Sequence, residues 1–250
     1  MVIKRVMPCL LFNGKALVKT VSFKNPAYIG DPINAIKIYN EKEVDELILL
    51  DINATIEKRE PNFEKIKEYA SECFMPFTYG GGVSKIEHFQ KLFSLGVEKV
   101  AVNSLLFTNP ELVKLAVKNY GSQSIIGFVD FKFSKGTLIV FNRAGYTYKG
   151  TIQEYCHYLQ HSIGVGEIVF QNVDKEGTWS GLDHEKIKEL LKSVKVPVIT
   201  IGGANNAADI KKCLYETGVN AVAIGSMAVY QKKDMGVLIR FPKRELMITE

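Results

Sequence analysis

Three aspartates close apolar runs in this chain. Asp51 ends the run from Glu46 to Leu50, Asp130 follows Ile125-Ile126-Gly127-Phe128-Val129, and Asp174 follows the run from Glu167 to Val173, with Glu176 two residues on. A carboxylate where an apolar strand surfaces is in position to take and return a proton. Asp130 has no evident structural partner in the sequence, which makes it the first candidate for such a role; capping or loop-holding is the bland reading of all four acids. A second chemistry is anion binding. Gly80-Gly81-Gly82 and Gly202-Gly203 each end a run and precede a helical pattern, and Asn103-Ser104 and Gly225-Ser226 end the runs that follow. Such a strand end offers bare N–H groups and a favourable helix dipole to a phosphate, although glycines also serve simply to permit tight turns.

Duplication favours phosphate. Gly81 and Gly202 lie 121 residues apart and Ser104 and Ser226 lie 122 apart, and the first offset also aligns Glu46-Leu47-Ile48-Leu49-Leu50 with Glu167-Ile168-Val169-Phe170-Gln171. A repeat of half the chain with one anion site per half predicts a substrate carrying a phosphate at each end. Only five of the 32 basic residues are Arg. Phosphate is therefore expected to be held by backbone amides and Lys, not by guanidinium forks.

Other chemistries find little support. His88, His157, His161 and His184 form no ligand set and read as residues on outer helix faces. Cys9, Cys73, Cys156 and Cys213 are scattered without C-x-x-C spacing, which argues against zinc and disulfides and fits a reducing, cytoplasmic setting. No metal set, cofactor motif or nucleotide-activating loop is present. Trp179, within Gly177-Thr178-Trp179-Ser180-Gly181, reads equally as a ligand-stacking or a loop-packing residue.

The elements that must carry these residues alternate. Strand-like runs at 4–11, 46–53, 75–80, 99–103, 123–130, 167–173, 198–202 and 221–225 are separated by helical patterns at 33–43, 62–73, 85–95, 110–120, 151–161, 183–193 and 207–216. Eight βα units within 250 residues predict an α/β fold, a (β/α)8 TIM barrel with a twofold half-barrel repeat, filling residues 1–250 as one domain. An open doubly wound sheet would show a G-x-G-x-x-G turn after its first strand, where this chain reads Leu11-Phe12-Asn13-Gly14. A net charge of +5 with interspersed signs suggests no nucleic-acid tail, and no run is long enough for a membrane span or a leader. Arg5, Glu46, Lys99 and Glu167 open four of the strands. Spacing alone reads them as four independent solvated charges.

Lys4-Arg5, Pro8-Cys9-Leu10, Gly30-Asp31-Pro32, Asp45-Glu46-Leu47, Leu50-Asp51-Ile52, Gly80-Gly81-Gly82, Gly121-Ser122-Gln123 and Gly202-Gly203-Ala204 together resemble the cyclase subunit of imidazole glycerol phosphate synthase, over essentially the whole chain. The resemblance implies a class I glutaminase docked beneath the barrel, whose ammonia passes a charged gate to a bisphosphorylated substrate. The gate positions are Arg5, Glu46, Lys99 and Glu167, all retained, which replaces the bland reading of those charges. Phosphate binding falls on Gly81, Gly82, Asn103, Ser104, Gly202, Gly203, Gly225 and Ser226. The other substrate contacts fall on Asp51, Gln171, Asp174, Glu176 and Gly177. Catalysis in the family uses two aspartates. The fifth-strand one matches Asp130, but the first-strand position is Leu11, while Lys19 in the first loop is retained as a catalytic candidate. Gln171 and Glu176 stand where the family usually has Thr and Asp. A retained gate under altered chemistry, with the tail Val237-Leu238-Ile239-Arg240-Phe241-Pro242, is similar to the branch that converts N-acetyl to acetamidino groups on surface sugars with an ATP-dependent sugar amidotransferase. Two other expectations are a true histidine-pathway cyclase with a relocated acid and a non-catalytic conduit that activates the glutaminase.

Overall fold

The computed structural model describes residues 3–134 and 136–248. In chain order its elements begin with β1 (Arg5–Phe12), β2 (Leu17–Val21), β3 (Lys24–Gly30), α1 (Pro32–Glu41), β4 (Leu47–Asp51), α2 (Phe63–Glu72), β5 (Phe77–Gly80) and α3 (Ile86–Ser94). There follow β6 (Lys99–Val102), α4 (Ser104–Thr108), α5 (Pro110–Tyr120), β7 (Ile125–Ser134), β8 (Thr137–Phe141) and α6 (Ile152–His157), the last continued by a π-helical turn, Tyr158–Ile163. The chain closes with β9 (Glu167–Asn172), α7 (His184–Leu191), β10 (Val198–Ile201), α8 (Ala207–Glu216), β11 (Ala221–Ile224) and α9 (Ser226–Val229). Eight parallel strands run β1-β4-β5-β6-β7-β9-β10-β11, and β11 pairs back to β1 from Arg5↔Ala221 to Pro8↔Ile224. The sheet is thus a closed (β/α)8 barrel, as the alternation predicted.

Strand alternation divides the core in two. Met7, Cys9, Ile48, Ala101, Ile126, Phe128, Val169, Ile199, Ile201, Ala221 and Ala223 fill the barrel lumen. Their neighbours, such as Val6, Leu10, Leu49, Val100, Val129, Phe170 and Val222, face the helices. Most outer helices start on a side chain that accepts an early amide: Asp31, Asn62, Asn109, Thr151, Asp183 and Asn206 cap α1, α2, α5, α6, α7 and α8.

Three strands lie outside the sequence expectation. β2 and β3 form an antiparallel hairpin that pairs with β1 through Leu11↔Val18, and β8 folds back on β7 through Asp130↔Phe141. The first hairpin turns at Ser22 and Phe23, with φ of 48° and 62°. Both central residues therefore adopt the left-handed conformation that usually advertises itself as Asn-Gly, and the signal was absent. The eighth unit also departs from the expected arithmetic. After β11 the one α-helix among the described residues is the four-residue α9, and residues 230–248 follow in the eighth helix's place as a strap that is irregular apart from a 3-10 turn at Arg244–Leu246. Ile239, Phe241 and the fully buried Met247 pack from it onto the core, and Tyr39 of α1 donates its hydroxyl to the Ala228 carbonyl at 2.8 Å. His88 corrects another expectation: it is buried, not an outer-face residue. It lies edge-on to Phe63, and its Nδ1 accepts from the Ser84 amide at 3.3 Å.

Candidate active site

The strand C-termini open onto two adjoining cavities, one per half-barrel. The first is lined by Asp51, Gly81, Gly82, Asn103, Ser104 and Asp130, among others; the second by Lys19, Glu176, Gly177, Gly202, Gly203, Gly225 and Ser226. Leu11 and Gln171 line both and form the wall between them.

The glycine pairs take conformations that L side chains rarely adopt: φ is +114° and +73° at Gly81 and Gly82, and +112° and +99° at Gly202 and Gly203. A Cβ at Gly81 would strike the Asp51 carbonyl oxygen, and one at Gly202 the Asn172 carbonyl oxygen, so each pair also needs its lack of side chain for close approach. The short helices α4 and α9 lack the side-chain cap found on most outer helices. Their first residues, Ser104 and Ser226, line the first and second cavity respectively, which makes each half of the mouth a candidate anion cradle.

Asp130, at the top of β7, is buried and receives one side-chain hydrogen bond, from Asn103 Nδ2 at 2.7 Å. Burial pushes its carboxyl up to about 7, against the smaller opposing pull of the Asn103 amide. A group poised there can donate or accept a proton at neutral pH. Its facing neighbour is not a second acid: Leu11, at the top of β1, contributes an apolar wall with Leu50 and Phe128.

The remaining predicted residues divide. Asp51 lines the first cavity, but its oxygens accept from Arg59 at 3.1 and 3.3 Å and from the Asn53 and Ala54 amides, so it acts as the anchor of the β4 loop. Asp174 is exposed, lines neither cavity, and caps the Phe133 amide at 2.7 Å, which is the loop-holding role. Glu176 accepts from Thr20 Oγ1 at 3.0 Å and the Phe23 amide at 3.1 Å, and Lys19 Nζ lies 3.7 Å away. It thereby holds the β2–β3 hairpin over the mouth. Lys19 belongs to the second cavity, its ammonium against Gly225, while Asp130 belongs to the first. The two groups expected to share catalysis are thus separated by Leu11 and Gln171. Trp179 lines the second cavity and also packs on the core. Sequence reasoning missed Arg59 as the partner of Asp51, and Asn142 and Arg143, which enter the first cavity from the unanticipated β8 hairpin. Asn103 was read as a phosphate contact only, yet it also holds Asp130.

At the opposite end, the four strand-opening charges meet. Arg5 bonds both Glu46 and Glu167, and Lys99 Nζ lies 3.0 Å from Glu46 and 3.1 Å from Glu167. They close an alternating ring across the barrel floor, with both carboxylates buried and the lumen directly above. Cooperative pairing across the barrel axis, invisible in linear spacing, is what overturns the independent-charge reading.

Floor ring, closed barrel and two glycine-lined cavities define a (β/α)8 protein with a charged base and an open, cavity-bearing mouth. Its sequence places it among known proteins. Residues 5–234 match the family model described as histidine biosynthesis protein, and the chain belongs to that family. A Pseudomonas aeruginosa protein with the provisional name imidazole glycerol phosphate synthase subunit hisF2 is 46% identical over 244 residues, 97% of each chain. A Vibrio vulnificus protein provisionally named hisF3 of the same synthase is 40% identical, over 95% of this chain and 92% of its own. The Leptospira biflexa imidazole glycerol phosphate synthase subunit HisF is 34% identical over 95% of this chain and 98% of its own. No helix among the described residues is long and apolar enough to cross a membrane.

Proposed function

We propose that this chain is the ammonia-channelling synthase subunit of a glutamine amidotransferase complex, with a class I glutaminase on the barrel floor. The observation that carries this reading is the contrast along the barrel axis. Arg5, Glu46, Lys99 and Glu167 form a closed ring below a lumen packed with apolar side chains, while Asp130 has Leu11 opposite it at the mouth. The ring is suited to gating a small neutral amine. A mouth with one proton-transferring carboxylate lacks the pair that the cyclase chemistry uses, so the substrate's chemistry differs.

The reaction that fits is conversion of a sugar N-acetyl group to an acetamidino group. Ammonia adds to the amide carbon and loses protons to a base, and the amide oxygen departs on the phosphoryl or nucleotidyl group that ATP must first place on it. An ATP-dependent sugar amidotransferase supplies the activation as a third component, because this chain has no nucleotide-activating motif of its own. Asp130 holds or returns the proton, and the twin glycine cradles take phosphate or diphosphate. The histidine-pathway cyclase is the second reading, favoured by the names of the relatives.

The test is a reconstituted complex with a class I glutaminase and amide-15N glutamine. The parent chain is expected to bind the glutaminase and pass labelled nitrogen to product. Lys99→Glu, which puts a third negative charge in the ring, is expected to leave glutamine hydrolysis intact while nitrogen escapes as free ammonium. Equal transfer efficiency in the variant removes the gate assignment.

A further inference from the structure

The five-arginine composition favoured anion binding without guanidinium groups, yet one arginine reaches the first cradle. β8 folds back along β7, and the turn after it, residues 142–145, lies over the mouth. Asn142 is buried and fixes this turn in three ways. Its Oδ1 accepts from the Tyr146 amide at 3.1 Å, its carbonyl accepts from the Gly145 amide at 3.1 Å, and its Nδ2 lies 3.3 Å from the hydroxyl of Ser104, a cradle residue. The turn is therefore pinned to the cradle itself. From it, Arg143 Nη1 donates to the Ile52 carbonyl oxygen at 3.2 Å. Arg143 departs from the hairpin on the fifth barrel strand and Ile52 follows the second. This bond forms an arch between the fifth-strand hairpin and the loop after the second strand, and Arg143 lines the same cavity as Gly81-Gly82 and Asn103-Ser104 at the ends of the third and fourth strands.

The charges around this arch leave the guanidinium unmatched. Arg59 has its fork on Asp51 and Glu57. Among the described residues lining the first cavity, Arg143 is the cation without a carboxylate partner. A guanidinium carries five N–H donors. One holds Ile52, and the others make no hydrogen bond to the described residues.

We propose that Arg143 is the charged ligand of the first cradle, closing over a phosphate seated on the amides of Ser104 and of Gly82, the latter exchanging its long 3.4 Å bond to Thr55 Oγ1 for the ligand. This rests on the reading that the cradles bind phosphate. It gives the twin sites different cations: a planar fork in the first and the Lys19 ammonium beside Gly225 in the second. A fork matches two oxygens of one phosphate in a fixed plane, whereas an ammonium acts as a point charge. The pseudo-twofold mouth thereby gains a direction, and an unsymmetrical bisphosphorylated or diphosphate substrate seats one way round.

The probe is inorganic phosphate, titrated into 15N-labelled full-length protein, with the amides of Gly82 and Ser104 reporting the first cradle and those of Gly203 and Ser226 the second. Arg143→Gln is expected to weaken the first cradle about tenfold to a hundredfold, the usual worth of a lost charge-assisted contact, and to leave the second unchanged. Arg143→Lys, which keeps the charge and the small perturbation of the turn but loses the fork, is expected to fall between. Phosphate binding at the first cradle that is indifferent to both substitutions overturns the assignment of Arg143 alone. No titration at either cradle of the parent overturns the phosphate reading and the assignment together.

Discussion

The floor ring and Asp130 at the mouth manage buried charge in opposite ways, although Asp51 and Glu176 at the same mouth are paired with Arg59 and Lys19. At the floor, Arg5 and Lys99 each contact both Glu46 and Glu167, so charge is contained by mutual pairing. At the mouth, Asp130 has one side-chain amide donor and no cation partner among the described residues, and its carboxyl is pushed up to about 7 by burial. Charge there is contained by retaining a proton. Pairing builds a fixed ring of charge; an unpaired buried acid is a titratable group available for chemistry, at a cost in stability.

The largest effect that would sharpen this contrast concerns Asp130. Its folded-state pKa, about 7, lies above the ordinary value of 3.8. Between those values the folded protein holds a proton that the unfolded chain has released. Stability should therefore fall as pH rises through that window and level off above it. Asp130→Asn should abolish the slope and gain up to about 4 kcal/mol relative to the parent at pH 8, while eliminating turnover. Urea midpoints at pH 5 and pH 8 provide the check. At the floor, Glu46→Ala should cost about 3 kcal/mol, because it leaves two cations to share one carboxylate. A loss below about 1 kcal/mol in denaturant unfolding would mean the ring is four independent charges, and the contrast would break.

A third effect lies between the halves of the mouth. Gly82→Val places a Cβ against the Arg59 carbonyl oxygen at a φ of +73°. It should reduce phosphate affinity at the first cradle roughly tenfold or more, with the second cradle as internal control in the same titration. The smallest effect is on Asn103. Asn103→Leu removes the hydrogen bond that favours ionised Asp130, so the pH window of falling stability should move upward while the floor ring is unaffected.

The barrel was legible because its strands are continuous apolar runs and its outer helices carry period-3.6 patterns with Asn, Asp or Thr caps. The hairpins were not, because Ser22-Phe23 does not advertise a left-handed turn, and Thr137–Phe141 pairs only once β7 extends beyond the barrel. The glycine cradles were legible through duplication, which survives in linear spacing. The separation of Lys19 from Asp130, the engagement of Asp51 by Arg59 and the arch of Arg143 were not. Each depends on which way a loop side chain turns after the barrel closes. Asp174 illustrates the same limit: its place after a strand matched a site residue, but its carboxylate turns outward to cap Phe133.

Ammonium-driven turnover of the bisphosphorylated imidazole glycerol phosphate synthase substrate by the purified chain, without any glutaminase, tests most directly whether the mouth has left the cyclase chemistry. On the proposed reading Leu11 replaces one member of an acid–base pair, a loss that typically removes about two to four orders of magnitude in rate, so the parent should show negligible turnover, with Leu11→Asp raising it and Leu11→Asn leaving it unchanged. Robust turnover by the parent would contradict the account, because another group would then be performing the missing carboxylate's work and the chain would be a histidine-pathway cyclase.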